Sequence, residues 1–103
     1  MVITEEIKKM ITEAPFVPIV TASTQGEPHL IVVGQVKEIK ENDVLAFGIY
    51  KMEKTQQNIQ QTRLMQVAIV SKTDGPKGFR LSGKASVEGE LVLFKAEKAE
   101  ALL

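Results

Sequence analysis

Cysteine is absent from the sequence, which excludes disulfides, thiolate metal sites and cysteine nucleophiles. Histidine occurs once, leaving little for a metal site. Aromatic residues make up only 5% of the chain, and charge of either sign is not in excess: 13 Lys and Arg face 13 Asp and Glu. The low aromatic content weighs against nucleic-acid stacking surfaces. The charge balance removes the usual electrostatic warrant for a nucleic acid or an anionic membrane as partner. A small anionic ligand stays open, because it needs only a local positive site. Long apolar runs are missing too. Phe16–Val20 and Leu30–Val33 are far too short to span a bilayer, and Met1–Lys9, with Glu5 and Glu6, has no signal-peptide core. With 103 residues, 44% of them hydrophobic, the expectation is one soluble cytoplasmic domain, residues 1–103, with no membrane and no nucleic acid as partner.

What is present is mostly β pattern between helical ends. Ile3, Ile7, Met10 and Ile11 form one apolar stripe at helical spacing. Thr4 is a candidate N-cap, Glu5 and Glu6 suit the first turn, and Pro15 ends the helix. Phe16–Ser23 reads as a short strand, with Pro18 pointing to an edge position or a bulge, followed by a turn at Thr24–Glu27. Pro28–Lys40 reads as one long strand, Glu41-Asn42-Asp43 as a turn, and Val44–Tyr50 as the returning arm of a hairpin. Lys51–Thr62, rich in Gln, reads as a short polar helix pinned by Ile59. Leu64–Lys72 is a strand, and Asp74-Gly75-Pro76 is a strong turn signal. In Phe79–Glu90, Phe79, Leu81, Gly83, Ala85 and Val87 alternate with polar residues, as in a half-buried antiparallel strand. Leu91–Leu103 reads as a last helix with Val92, Ala96, Ala99 and Leu103 on one stripe. Short strands joined by tight turns suggest a closed or nearly closed barrel.

The chemically informative stretch is Gly48-Ile49-Tyr50-Lys51-Met52-Glu53-Lys54-Thr55-Gln56-Gln57-Asn58. A strand ends and a helix begins there. A helix N-terminus offers unpaired N–H groups and positive potential, which suits a phosphate. Lys54 adds a charge and Thr55 a hydroxyl, although both are also common in the first turns of surface helices.

The order of motifs resembles the pyridoxamine-5′-phosphate-oxidase-like split barrels, and in particular their small FMN-binding proteins. Gln25-Gly26-Glu27-Pro28-His29-Leu30 matches a glycine turn leading to a Pro-His-Leu strand start. Lys54, Thr55 and Asn58 match a Lys-Thr pair opening a helix that carries an Asn. Arg63-Leu64-Met65-Gln66-Val67-Ala68-Ile69 and Gly78-Phe79-Arg80-Leu81-Ser82-Gly83 follow in the family's order. The similarity runs from about Phe16 to about Gly89. It implies a mainly β fold, a split β-barrel of antiparallel strands with short flanking helices. It also implies an FMN cofactor, with Lys54 and Thr55 holding the phosphate and Asn58 nearby. The isoalloxazine would lie against two adjacent strands, over Val32, Val33, Gly34 and Gln35 on the long one and Gly48, Ile49 and Tyr50 on the next. Gln35 is a candidate partner for the pyrimidine edge. Either Val32 or Val33 must also be ordinary barrel core. Gly34 and Gly48 fit a bulge or barrel corner as well as a ligand contact.

The function implied is FMN binding with redox work, as an electron carrier or a small flavin-dependent oxidoreductase. The alternatives are a split barrel for another ligand, deazaflavin or haem, and an assembly module without cofactor. No catalytic residue and no metal ligand is evident; His29 stands without a triad partner, so enzyme status stays open. Arg80 and Lys84 are either solvated charges or groups that reach a neighbouring subunit's cofactor. A counterpart of the oxidase's substrate-binding segment is missing, which argues against vitamin B6 chemistry. The resemblance implies subunits paired so that one covers the cofactor of the other, and no closing strand is visible after Glu90, so a homodimer with the flavin at or near its interface is expected. The alternative is a monomer whose last helix plugs the gap.

Overall fold

The structure, a computed structural model, describes residues 1–72 and 77–102. The expected turn at Asp74-Gly75-Pro76, and Leu103, lie outside the described residues. Helix α1 spans Glu5–Glu13, and Thr4 caps it: the Ile7 N–H donates to Thr4 Oγ1 at 3.2 Å. Ile3, Ile7, Met10 and Ile11 are all buried, so the stripe read from the sequence is the face that seals the core. No helix of the described residues is long and apolar enough to cross a membrane.

The strands are β1 (Phe16–Ala22), β2 (Pro28–Gly34), β3 (Glu38–Lys40), β4 (Val44–Gly48), β5 (Leu64–Ser71), β6 (Lys77–Glu88) and β7 (Leu91–Ala101), with helix α2 (Glu53–Thr62) between β4 and β5. All recorded pairings are antiparallel, in one seven-stranded sheet of order β2-β1-β5-β6-β7-β4-β3. β2 and β3 are therefore the outer strands of the sheet, yet only Gln35, Val36 and Lys37 separate them in sequence. Flat, the six steps between seven strands would hold the outer strands roughly 29 Å apart. The chain from Gly34 to Glu38 reaches at most about 14 Å. The sheet must roll until its outer strands come within that reach, and the run 35–37 is the seam of the barrel.

Three expectations change here. The single long strand Pro28–Lys40 is two strands that pair at opposite ends of the sheet: β2 with β1, and β3 with β4. β2 and β4 are consequently not neighbours in the ladder; they approach only across the seam. Pro18 lies on an inner strand, but pairing to β5 begins only at Ile19, so β1 has one partner there. A residue with no N–H is tolerated where a ladder stops.

The largest change is at the C-terminal end. Leu91–Ala101 is not a helix but strand β7, and it is the strand that closes the barrel, paired to β6 on one side and β4 on the other. Val92, Phe94 and Ala96 are buried at a period of two. The Lys-Ala-Glu composition favours a helix, but two waiting ladders and a core position for Phe94 override that local preference. A monomer plugged by a last helix is thereby ruled out. Between Ser82 and Gly83 the register slips, Ser82 facing Lys98 and Gly83 facing Ala96, so Glu97 is the extra residue of a bulge. Gly83 makes the bulge sterically feasible: a Cβ there would sit 1.9 Å from the Lys95 carbonyl oxygen.

Candidate functional site

The expected site residues lie on β2, in the seam, at the end of β4 and in the first turns of α2. β4 ends at Gly48, and the chain turns through Ile49, Tyr50, Lys51 and Met52 into the helix. Lys51 takes a left-handed φ of 53°, and its Nζ stands 5.5 Å from the Tyr50 ring centroid, within cation–π range. Tyr50 is 76% exposed, so its ring is on the surface rather than in the core.

The start of α2 differs from that of α1. Met52 occupies the N-cap position and offers no side-chain cap. The first backbone bond of the helix runs from the Gln56 N–H to the Met52 carbonyl, at 2.8 Å. The N–H groups of the first turn are thus open to an external acceptor. Lys54 is exposed on that turn and has no ion-pair partner among the described residues. Thr55 beside it is 1% exposed, and its Oγ1 is the one buried side-chain polar atom without a hydrogen-bond partner among the described residues. A buried hydroxyl left without a partner is costly, and this one lies in the uncapped first turn of α2.

Asn58 is also buried, but its amide is committed. Nδ2 donates to Thr21 Oγ1 at 3.0 Å, a buried pair that fastens α2 to β1. Its contribution is to position the helix. Thr62 repeats the device one turn later, donating to the Ala22 carbonyl at 3.0 Å.

The strand residues of the expected ring floor divide by face. Val33 and Ile49 are half-buried and pack against the core, whereas Val32 is 61% exposed. Val33 is therefore the core residue of the valine pair. Gln35 lies in the seam, and its Nε2 donates to the Thr12 carbonyl of α1 at 2.7 Å. Gly34 and Gly48 are exposed, and neither has a positive φ. Nothing lies within 4 Å of a Cβ built on Gly34. On Gly48 such an atom would meet only Lys37 Cδ, at 4.0 Å. The fold thus demands glycine at neither position. Both leave bare backbone open beside the seam.

Lys37 was not legible as a site residue, because the sequence places it inside a long strand. The β3–β4 pairing, extended by the Lys37 N–H bond to the Ala46 carbonyl at 2.9 Å, brings it beside Gly48. Away from this corner, a hollow of about 310 Å³ lies over β1, β5 and β6, lined by Val20, Ala22, Leu64, Gln66, Ser82 and Glu97 among others. It contains none of the expected site residues and lies at the other end of α2. His29 is half-buried on β2, opposite Thr21, and no group of three or more metal-ligating side chains forms among the described residues.

Residues 3–100 match the family model described as pyridoxamine 5′-phosphate oxidase. The chain belongs to this family of FMN-binding-type split barrels. No curated protein matches the sequence. Among solved structures, the split barrel is similar to HupZ of Group A Streptococcus, with TM-score 0.80 and 18% identity over 96% of this chain and 93% of that one. It is similar to an FMN-binding protein of Syntrophomonas wolfei, with TM-score 0.70 and 15% identity over 93% of this chain and 88% of that one. It is also similar to HutZ, a haem storage protein of Vibrio cholerae, with TM-score 0.63 and 14% identity over 97% of this chain and 92% of that one. At these identities the likeness is one of fold.

Proposed function

We propose that this split barrel binds FMN and works in redox chemistry, as an electron carrier or a small flavin-dependent oxidoreductase. The observation that carries the reading is the Thr55 hydroxyl in the uncapped first turn of α2, which like the adjacent Lys54 ammonium has no partner among the described residues. Lys54, Thr55 and the open N–H groups are a donor set suited to a phosphate dianion. Gly34 and Gly48 leave backbone that a flat ring can approach, with exposed Val32 as apolar surface beside it and Tyr50 free to stack. The flavin, when bound, supplies the electron-transfer chemistry. The chain's residues hold the phosphate, orient the ring and shield one of its faces. Asn58 keeps α2 in place through Thr21.

Homodimerisation belongs to the same reading. Phe16, Leu30, Val32, Leu64 and Val70 are each at least half exposed. Strand alternation puts Leu30, Val32, Leu64 and Val70 on the outer face of the β2-β1-β5 sheet. Apolar surface of this extent marks an association face, and a two-fold partner seated there would cover Val32 beside the ring site.

A haem reading is the second one, favoured by the fold shared with HutZ. The single imidazole, His29, would then be the axial candidate. Titration with FMN, riboflavin and haemin separates the two. FMN bound at least ten-fold more tightly than riboflavin supports the phosphate seat. Equal affinity for the two flavins defeats it. Haemin bound with a Soret shift lost in His29→Ala replaces the flavin reading.

A further inference from the structure

We propose that Lys37 sets the charge beside the ring of a bound flavin and favours its reduced, anionic form. The inference rests on the flavin reading above.

Lys37 is held at the seam by its own backbone, whose N–H donates to the Ala46 carbonyl at 2.9 Å. Its Cδ lies 4.0 Å from where a Gly48 Cβ would stand, beside the bare backbone at the end of β4. Gly34, the other open glycine, lies three residues away along the chain, within roughly 11 Å. Lys37 thus lies beside the Gly48 stretch and three residues along the chain from the Gly34 stretch, while Lys54 belongs to the first turn of α2. Its neighbour Lys40 pairs with Glu38 at 3.7 Å, but Lys37 has no carboxylate partner among the described residues. Its charge is not cancelled, and its stem can slide along an apolar ring while the ammonium stays at the rim.

The charge balance fixes the direction. Two electrons from an electrode and one proton from water convert the neutral oxidised ring into a singly negative reduced ring. No bond of the protein breaks. A nearby ammonium is attracted to the negative form and is nearly indifferent to the neutral one. Lys37 therefore raises the affinity for reduced flavin relative to oxidised, and with it the midpoint potential.

The experiment is a spectroelectrochemical titration of the FMN-loaded protein at pH 8, for wild type, Lys37→Gln, Lys37→Met, Lys37→Arg and Lys40→Gln. The neutral variants should lose about ten-fold of the preference for reduced FMN, a drop of about 30 mV for a two-electron couple. Lys37→Arg and Lys40→Gln should stay at the wild-type value. Lys37 is exposed, and circular dichroism checks that each variant keeps the fold; two neutral side chains guard against one misfolding. Neutral variants at the wild-type potential overturn the proposal, as does an Arg variant that falls with them. A wild-type protein that takes up no FMN overturns the flavin reading and this inference together. FMN uptake with an unmoved potential overturns this inference alone.

Discussion

Gly83 and Gly48 are both strand glycines, and the structure gives them opposite meanings. At Gly83 a Cβ would collide with the Lys95 carbonyl, so Gly83→Ala should cost about 3 kcal/mol or more in urea unfolding. Gly34→Ala and Gly48→Ala meet no such obstacle. Their stability should stay within about 0.5 kcal/mol of wild type, while FMN affinity falls. Equal loss of stability at all three would mean that the open glycines serve the fold. Lys54→Ala should weaken FMN about ten-fold or more, since a charge-assisted phosphate contact is worth roughly 1.5–3 kcal/mol. Lys51→Ala and Lys72→Ala should change it little, and riboflavin should not distinguish the three in a fluorescence titration. Asp43 shows a different kind of residue effect. Its Oδ1 accepts the N–H groups of Ile3 at 2.9 Å and Val2 at 3.1 Å, tying the start of the chain to the β3–β4 turn. The Ile3 N–H, foremost, holds the carboxyl below its ordinary value of 3.8; burial opposes this, and Val2 and Lys95 reinforce it. A depressed carboxylate stabilises the fold above its unfolded value and loses that contribution as pH falls through the folded one. Thermal melts of Asp43→Asn should therefore lie below wild type at pH 7, with the gap closing below about pH 3.8.

At the scale of elements, α1 was fully legible and β7 was not. The stripe, cap and stop of α1 are local features, and local features survive folding. The end of the chain, Lys95-Ala96-Glu97-Lys98-Ala99-Glu100-Ala101, carries strong helix formers, and nothing local opposes a helix. Its strand state is imposed by partners distant in sequence, β4 and β6. The imposition is uneven. Leu91–Lys95 is paired on both sides, whereas beyond the bulge Lys98–Ala101 pairs with β6 alone. Amide exchange followed by NMR should find protection high from Val92 to Lys95 and markedly lower from Lys98 to Ala101. Uniform protection along β7 would show that the weaker half is held by something other than β6.

At the scale of the whole molecule, closure by β7 removes the open-barrel reason for expecting a dimer. The reason that stands is the apolar outer face with Leu30, Val32, Leu64 and Val70. Light scattering at micromolar concentration should give a dimer, and Leu30→Glu, a charge in the middle of that face, should give a folded monomer. If the partner also shields the flavin, the monomer should bind FMN more weakly. A wild-type monomer that binds FMN tightly would remove the interface from the site.

The sequence by itself determined the fold class, the first helix, the α2 helix with its Lys54-Thr55 start, and the turns carried by Gly26 and by Asn42-Asp43. The helices and turns are written in spacing, composition or turn chemistry within a few residues, and the fold class in the order of motifs that resembles the family. Only the tertiary structure decided the rest. It split the run 28–40 at the seam, turned the last segment into the closing strand, spent Asn58 on Thr21 and set Lys37 beside Gly48. The physical reason is the same in each case. A backbone donor, an apolar face or a cationic stem takes its role from the neighbour it meets, and that neighbour belongs to another element of the fold.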